Sequence, residues 1–207
     1  MKTQKLITLI AVAFITVVSF GQTIVGSAHD FKAASWNASG EICKTCHTPH
    51  NAVTGISAPL WNHQVTTQTF TLYTTAVSPT FNGTTAQPDG SSKLCLSCHD
   101  GVTKVDNFNG VTTGTTSITG AANIGTDLSN DHPVSFLYDA ALATADGGLF
   151  NPAVALSGKG STITADLLLA NKMQCSSCHD VHNGSGVNNL LVKTNAASAL
   201  CLTCHNK

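Results

Sequence analysis

Arginine is absent from this chain of 207 residues, and all ten of its basic side chains are lysine. That excludes the guanidinium forks with which proteins clamp oxyanions and phosphates, and no basic stripe exists to meet a nucleic acid. Charged residues make up only 10% of the chain and aromatics 6%, so a large side-chain core is not to be expected. A secreted chain of this composition usually needs staples to stay folded. Methionine occurs only at Met1 and Met173. Beyond the N-terminus no apolar run is long enough to span a bilayer.

The N-terminus reads as a secretory leader over residues 1–21. Lys2 and Lys5 are followed by a charge-free run through Phe20 that suits an h-region and is short for a membrane span. Small residues at Ser19 and Gly21 place cleavage near Gly21; an uncleaved anchor is the alternative. With Lys2 and Lys5 removed, eight lysines face 11 acids, a charge of about −3. The mature protein is therefore expected outside the cytoplasm, with no membrane span.

Eight cysteines in such a chain could form four disulfides. Their spacing argues otherwise, because all eight lie in four C-x-x-C-H pentads. These are Cys43, Cys46 and His47; Cys95, Cys98 and His99; Cys175, Cys178 and His179; and Cys201, Cys204 and His205. Two thiols three residues apart share one turn and can form thioethers to the two vinyl groups of one haem. The next residue, His, then lies beneath the iron as proximal ligand. A disulfide scaffold does not require His after every second Cys, and zinc sites pair their C-x-x-C units differently and are rare in this compartment. Four haem c groups are expected.

Five histidines remain: His29, His50, His63, His132 and His182. Met173 lies two residues before Cys175, on the segment leading into the haem it would have to cap from the far side, so sixth ligands should also be His. A repeat supports this. Cys43 and Cys175 each open C-x-x-C-H-x-x-H-N, each is followed by a plainer pentad, and each is preceded by a His beside an Asp, at His29 and His132. We read two di-haem units, residues 22–110 and 111–207, with His29, His50, His132 and His182 as distal ligands. His47 and His50 stand too close in sequence to face each other across one iron, as do His179 and His182. His50 and His182 must then reach a different haem and clamp neighbours together; for His50 that neighbour can belong to the next subunit. His63, whose counterpart by counting is Asn195, reads as a surface or propionate-bonding residue and is the substitute should one distal ligand fail.

Regular structure is expected to be sparse. Short helices carry the pentads, residues 164–172 lead helically into the third, and residues 195–201 enter the fourth as a helical turn. Residues 65–73 are the best strand candidate, and residues 102–130 read as loop with a hairpin at Gly110.

The phrases GSAHDF, CKTCHTPHNA, APLWN, CHDG, DLSNDHPVSF, CSSCHDVH and CLTCHNK follow one another from Gly26 to Lys207. In this order they resemble the tetrahaem extracellular c-type cytochromes of the OmcE type, filament-forming multihaem cytochromes of metal-reducing bacteria. The resemblance implies a mostly irregular chain with short helices and minor β structure, wrapped around a stack of four haems in alternating parallel and T-shaped pairs. It also implies a homopolymer sealed at each joint by a His donated across the subunit boundary, here His50. The expected function is electron transfer to an external acceptor or another redox protein, without catalysis. A monomeric periplasmic shuttle shares the same haem chemistry. A multihaem reductase would need an open iron and a cationic pocket, and no Arg exists to build one.

Overall fold

A computed structural model describes residues 24–206; the leader read over residues 1–21 lies outside them. Three short α-helices, Gly90–His99 (α1), Ala140–Asp146 (α2) and Ile163–Leu167 (α3), and one two-stranded antiparallel sheet account for most of the regular structure. The strands are Phe136–Leu137 (β1) and Lys172–Met173 (β2), with Phe136 opposite Met173. The rest is turns and irregular chain, as the few aromatics and abundant Thr, Ser, Gly and Asn foretell. No helix among the described residues is long and apolar enough to cross a membrane.

Each helix has a local cause. Asp139 caps α2 by accepting from the Leu142 N–H at 2.9 Å, and Gly147 ends it in the left-handed region at φ 70°. Thr162 caps α3 through the Ala165 N–H. That helix stops at Leu167, where the sequence suggested it would continue to Lys172. Leu168 is already extended, Ala170 and Asn171 turn left-handed, and Lys172 enters β2. Before the fourth pentad only the 3-10 turn Ala196–Ser198 forms, interrupted at Ala197 by φ 51°.

Residues 65–73 are not a strand. Thr71 alone makes a backbone bridge, to Asp127, while side chains meet its neighbours: Gln87 accepts from the Phe70 N–H at 2.8 Å and donates to the Phe70 carbonyl at 2.9 Å. Ser97 Oγ accepts from the Thr66 N–H at 2.9 Å. Thr-rich alternation suits a pleated ladder, but here the partners are mostly side chains. The loop around Gly110 folds back without strands, the Val105 N–H reaching the Thr116 carbonyl and Asp106 collecting the N–H groups of Thr115 and Thr116.

Two apolar clusters form. Phe136, Tyr138, Ala143, Ile163, Leu167, Met173, Val192 and Leu200 pack together, joined by Phe81, and Phe70, Leu96 and Leu128 make a smaller second group. Buried polar side chains are at least as numerous as buried apolar ones among the described residues. Transfer of apolar surface alone therefore leaves this chain marginal.

The halves meet where α1 lies on the 3-10 turn Cys175–Ser177. Gly90, at φ 48°, is the point of closest approach, since a Cβ there would sit 3.2 Å from Gln174 Nε2. Gln174 ties the joint by donating to Asp89 at 2.8 Å and accepting from the Ser92 N–H at 3.2 Å. Asp89 also pairs with Lys172, and Ser92 Oγ accepts from the Cys175 N–H at 2.9 Å.

Candidate haem-binding site

Three pentads open on 3-10 turns, Cys43–Thr45, Cys175–Ser177 and Cys201–Thr203, and the second closes α1. In the three turns the N–H of the second Cys and that of the following His both return to the carbonyl of the first Cys, at 2.8–3.2 Å. That winding puts two thiols on one side of a single turn with the imidazole next to them. None of the eight cysteines is disulfide-bonded.

A short antiparallel ladder holds three of the histidines. His47 bridges Trp61, His179 bridges Leu191, and His205 bridges Leu149. The hydrogen bonds match each time: Thr48 N–H to Leu60, Asp180 N–H to Leu190 and Asn206 N–H to Gly148 on one side of the bridge. On the other side, Asn62 N–H meets Cys46, Val192 N–H meets Cys178 and Phe150 N–H meets Cys204. The residue two before the bridge then turns its carbonyl onto the ring: His47 Nδ1 donates to Pro59 and His179 Nδ1 to Asn189, both at 2.9 Å. His99 Nδ1 donates to Ala122 at 2.6 Å and His132 Nδ1 to Pro133 at 2.9 Å. A ring whose Nδ1–H is committed to a carbonyl presents Nε2 as a bare lone pair, the state of a metal-binding imidazole. No sequence signal marks these carbonyls, because any residue supplies one.

Imidazoles far apart in sequence face one another. The ring centres of His29 and His99 are 6.0 Å apart, those of His47 and His182 6.2 Å, and those of His132 and His205 6.4 Å. Two rings bound at about 2 Å on opposite sides of one metal ion would have centres roughly 6 Å apart. Each pair joins a pentad His to one of the remaining histidines, and His182 lies opposite His47 and not opposite its near neighbour His179. His29 is held neutral, its pKa lowered to about 4 by burial first and then by His99, His179 and His182. That leaves His179 and His50 outside the pairs. His50 is exposed, and its ring has no partner among the described residues.

His63 is not at the surface. It is completely buried, with Nδ1 on the Gln64 carbonyl at 2.8 Å, Nε2 on the Lys104 carbonyl at 3.1 Å and Cys98 Sγ 3.4 Å away. Both nitrogens face carbonyl oxygens, and its ring is not one of those that lie opposite a pentad histidine. Its counterpart is also not Asn195. The ladder at His179 is two residues shorter than that at His47, so the residue after Val192, Lys193, takes the place that His63 takes after Asn62.

Six of the eight thiols are partly buried, while Cys43 and Cys201 are exposed. Burial, followed by the neighbouring Cys43, raises Cys46 to about 11. Burial, followed by Cys178, raises Cys204 to about 11. Cys98 is pushed up by burial, then by Cys46 and Asp100. Cys95 and Cys175 share a hydrogen bond that raises the first and lowers the second. Where burial resists charge, as at Cys46, Cys98, Cys178 and Cys204, a neutral thioether is better suited than a thiolate, and no cluster of metal-binding side chains occurs among the described residues. Cys46 lies near enough to Cys98, Cys95 to Cys175 and Cys178 to Cys201 for each to affect the other's ionisation. At the first pentad Trp61 Nε1 and Thr45 Oγ1 are buried without a hydrogen-bond partner, donors of the kind a haem propionate would accept from. The residues fit the group.

Paired pentads with a histidine beneath each thiol couple indicate a multihaem c-type cytochrome, a haem-binding electron-transfer protein whose motifs attach haem c covalently. The match is to the family described as Doubled CXXCH motif, over residues 169–207, which contain the third and fourth pentads. No curated protein matches the chain.

Proposed function

We propose that the chain carries four haem c groups, one on each pentad, and works as an electron conduit with every iron held between two imidazoles. His47, His99, His179 and His205 are the proximal ligands. His29 completes the site of His99, His182 that of His47 and His132 that of His205. The haem supplies one-electron chemistry; the chain's part is to grip, orient and exclude other ligands. Axial ligation by two imidazoles, with no Met in place, keeps the potentials low.

One observation carries the reading further. Three imidazole pairs form within the chain, leaving one pentad His, His179, and one exposed His, His50. His182, three residues past His179, reaches the first pentad. By the internal repeat, His50, three residues past His47, reaches a third pentad, and its own chain does not bring one to it. We assign His50 to His179 of the next copy. Such a joint is head-to-tail and does not pair like surfaces, so it builds an open filament. The protein is then the subunit of an extracellular cytochrome filament that delivers electrons to an outside acceptor. No catalytic residue is assigned, since closed irons and a chain without arginine leave no place for an anionic substrate.

Electron microscopy of sheared cell-surface material tests the assembly. Filaments that disappear in His50→Ala, with four haems still attached per chain, support it. Filaments that persist in that variant, or a wild-type protein found only as a periplasmic monomer, refute it.

A further inference from the structure

The ladder that holds the first pentad continues into the second, and the ladder that holds the third continues into the fourth. Asn62 leads to His63 against Cys98, and Val192 leads to Lys193 against Thr203. The second pentad closes a helix and the fourth is a 3-10 turn, but each meets the residue that follows an equivalent ladder, so the charges at that position can be compared.

At the second pentad the residue after His99 is Asp100, only 1% exposed. Its carboxylate accepts from Thr66 Oγ1 at 2.6 Å, Thr103 Oγ1 at 2.8 Å, and the N–H groups of Val102 and Thr103 at 2.8 and 2.7 Å. All four donors are neutral, and no cation pairs with it among the described residues. Burial lowers the pKa of the neighbouring His63.

At the fourth pentad both positions change. Asn206 replaces the acid, and Lys193 stands where His63 stood. The Lys193 ammonium donates to the Ser157 carbonyl and to Thr203 Oγ1, both at 2.9 Å. Gly158, at φ 78°, makes room for it, since a Cβ there would lie 2.8 Å from Nζ. Lys193 forms no ion pair among the described residues, and the nearby acid Asp166 is faced by Lys159. A held cation marks the fourth site, where the second has a held anion; the carboxylate on the fourth side, Asp146, accepts from the Gly148 N–H and from Asn82.

We propose that Lys193 is a tuning residue that makes the fourth haem the preferred seat of an electron within the subunit, with Asp100 making the second haem a poor one. A fixed positive charge favours the reduced, more negative form of a neighbouring redox group and a fixed negative charge disfavours it, most strongly where water is excluded. The inference rests on the reading of one haem per pentad and does not depend on polymerisation.

Potentiometric titration of the purified four-haem protein, followed in the haem absorption bands, provides the test. Lys193→Gln should lower the highest of the four reduction steps and leave the other three in place, while Lys193→Arg should titrate like the wild type. Asn206→Asp adds an acid at an exposed position that the fold tolerates, and should lower the same step by less. It decides the matter if Lys193→Gln fails to take up four haems. An unchanged curve in the decisive variant, or movement of a lower step instead, overturns the assignment. Haem count and spin state, measured on the same samples, fail separately if the underlying one-haem-per-pentad reading is at fault.

Discussion

Leu60 and Leu190 sit at equivalent places in two ladders, and both have positive φ, 54° and 56°. A branched side chain in the left-handed region costs about 1 kcal/mol or more. The left turn brings the Pro59 and Asn189 carbonyls onto His47 and His179, so local strain orients the ligand rings. Replacing Leu60, which is 54% exposed, by Gly should leave thermal stability unchanged or raise it by up to about 1 kcal/mol. The same change at Leu96, 1% exposed in the smaller core group, should cost about 3 kcal/mol or more in a denaturation experiment. His63 provides a pH test. Burial lowers its pKa below the ordinary imidazole value, so between that value and the lowered one the unfolded chain binds a proton that the folded chain refuses. Its contribution is present above about pH 6.5 and is lost as the pH falls below it. Melting temperature should drop from pH 7 to pH 5, and His63→Gln, less stable at pH 7, should show a shallower drop.

Among the elements, the joint between α1 and the third pentad hangs on Gln174, which is 2% exposed and bonds Asp89, Ser92 and Ser135. Gln174→Ala leaves the buried Ser92 N–H without its partner and should destabilise the protein by about 1–3 kcal/mol, measured by denaturant unfolding of the haem-loaded chain. This joint was invisible in the sequence, where Asp89 and Gln174 stand far apart in unremarkable surroundings. The pentads were legible because thioether chemistry fixes their spacing, and the placing of His182 opposite His47 rather than its near neighbour His179 follows the same reasoning from spacing. Residues 65–73 misled because alternation reports a half-buried extended segment without saying whether backbone or Gln87 meets its hydrogen bonds. His63 misled because counting from His50 ignores the two-residue difference between the ladders.

For the molecule as a whole, sparse secondary structure and buried polar residues at least as numerous as apolar ones leave little side-chain core, and on the proposed reading the haem faces supply much of the buried surface. A chain with both Cys of all four pentads changed to Ser, and so without covalent haem, should show no cooperative thermal transition by circular dichroism. A sharp transition would mean that the polypeptide folds on its own contacts. The imidazole pairs set distant parts of the chain against one another, His182 opposite the first pentad and His29 opposite the second, and with an iron between each pair, as proposed, they would tie those parts together. The most direct measurement is a spin-quantified electron paramagnetic resonance spectrum of the purified, fully oxidised protein in its assembled form. Four low-spin ferric haems per chain, with no high-spin signal, are what iron held by imidazole on both faces requires. A stoichiometric high-spin signal, or fewer than four haems per chain, would contradict it.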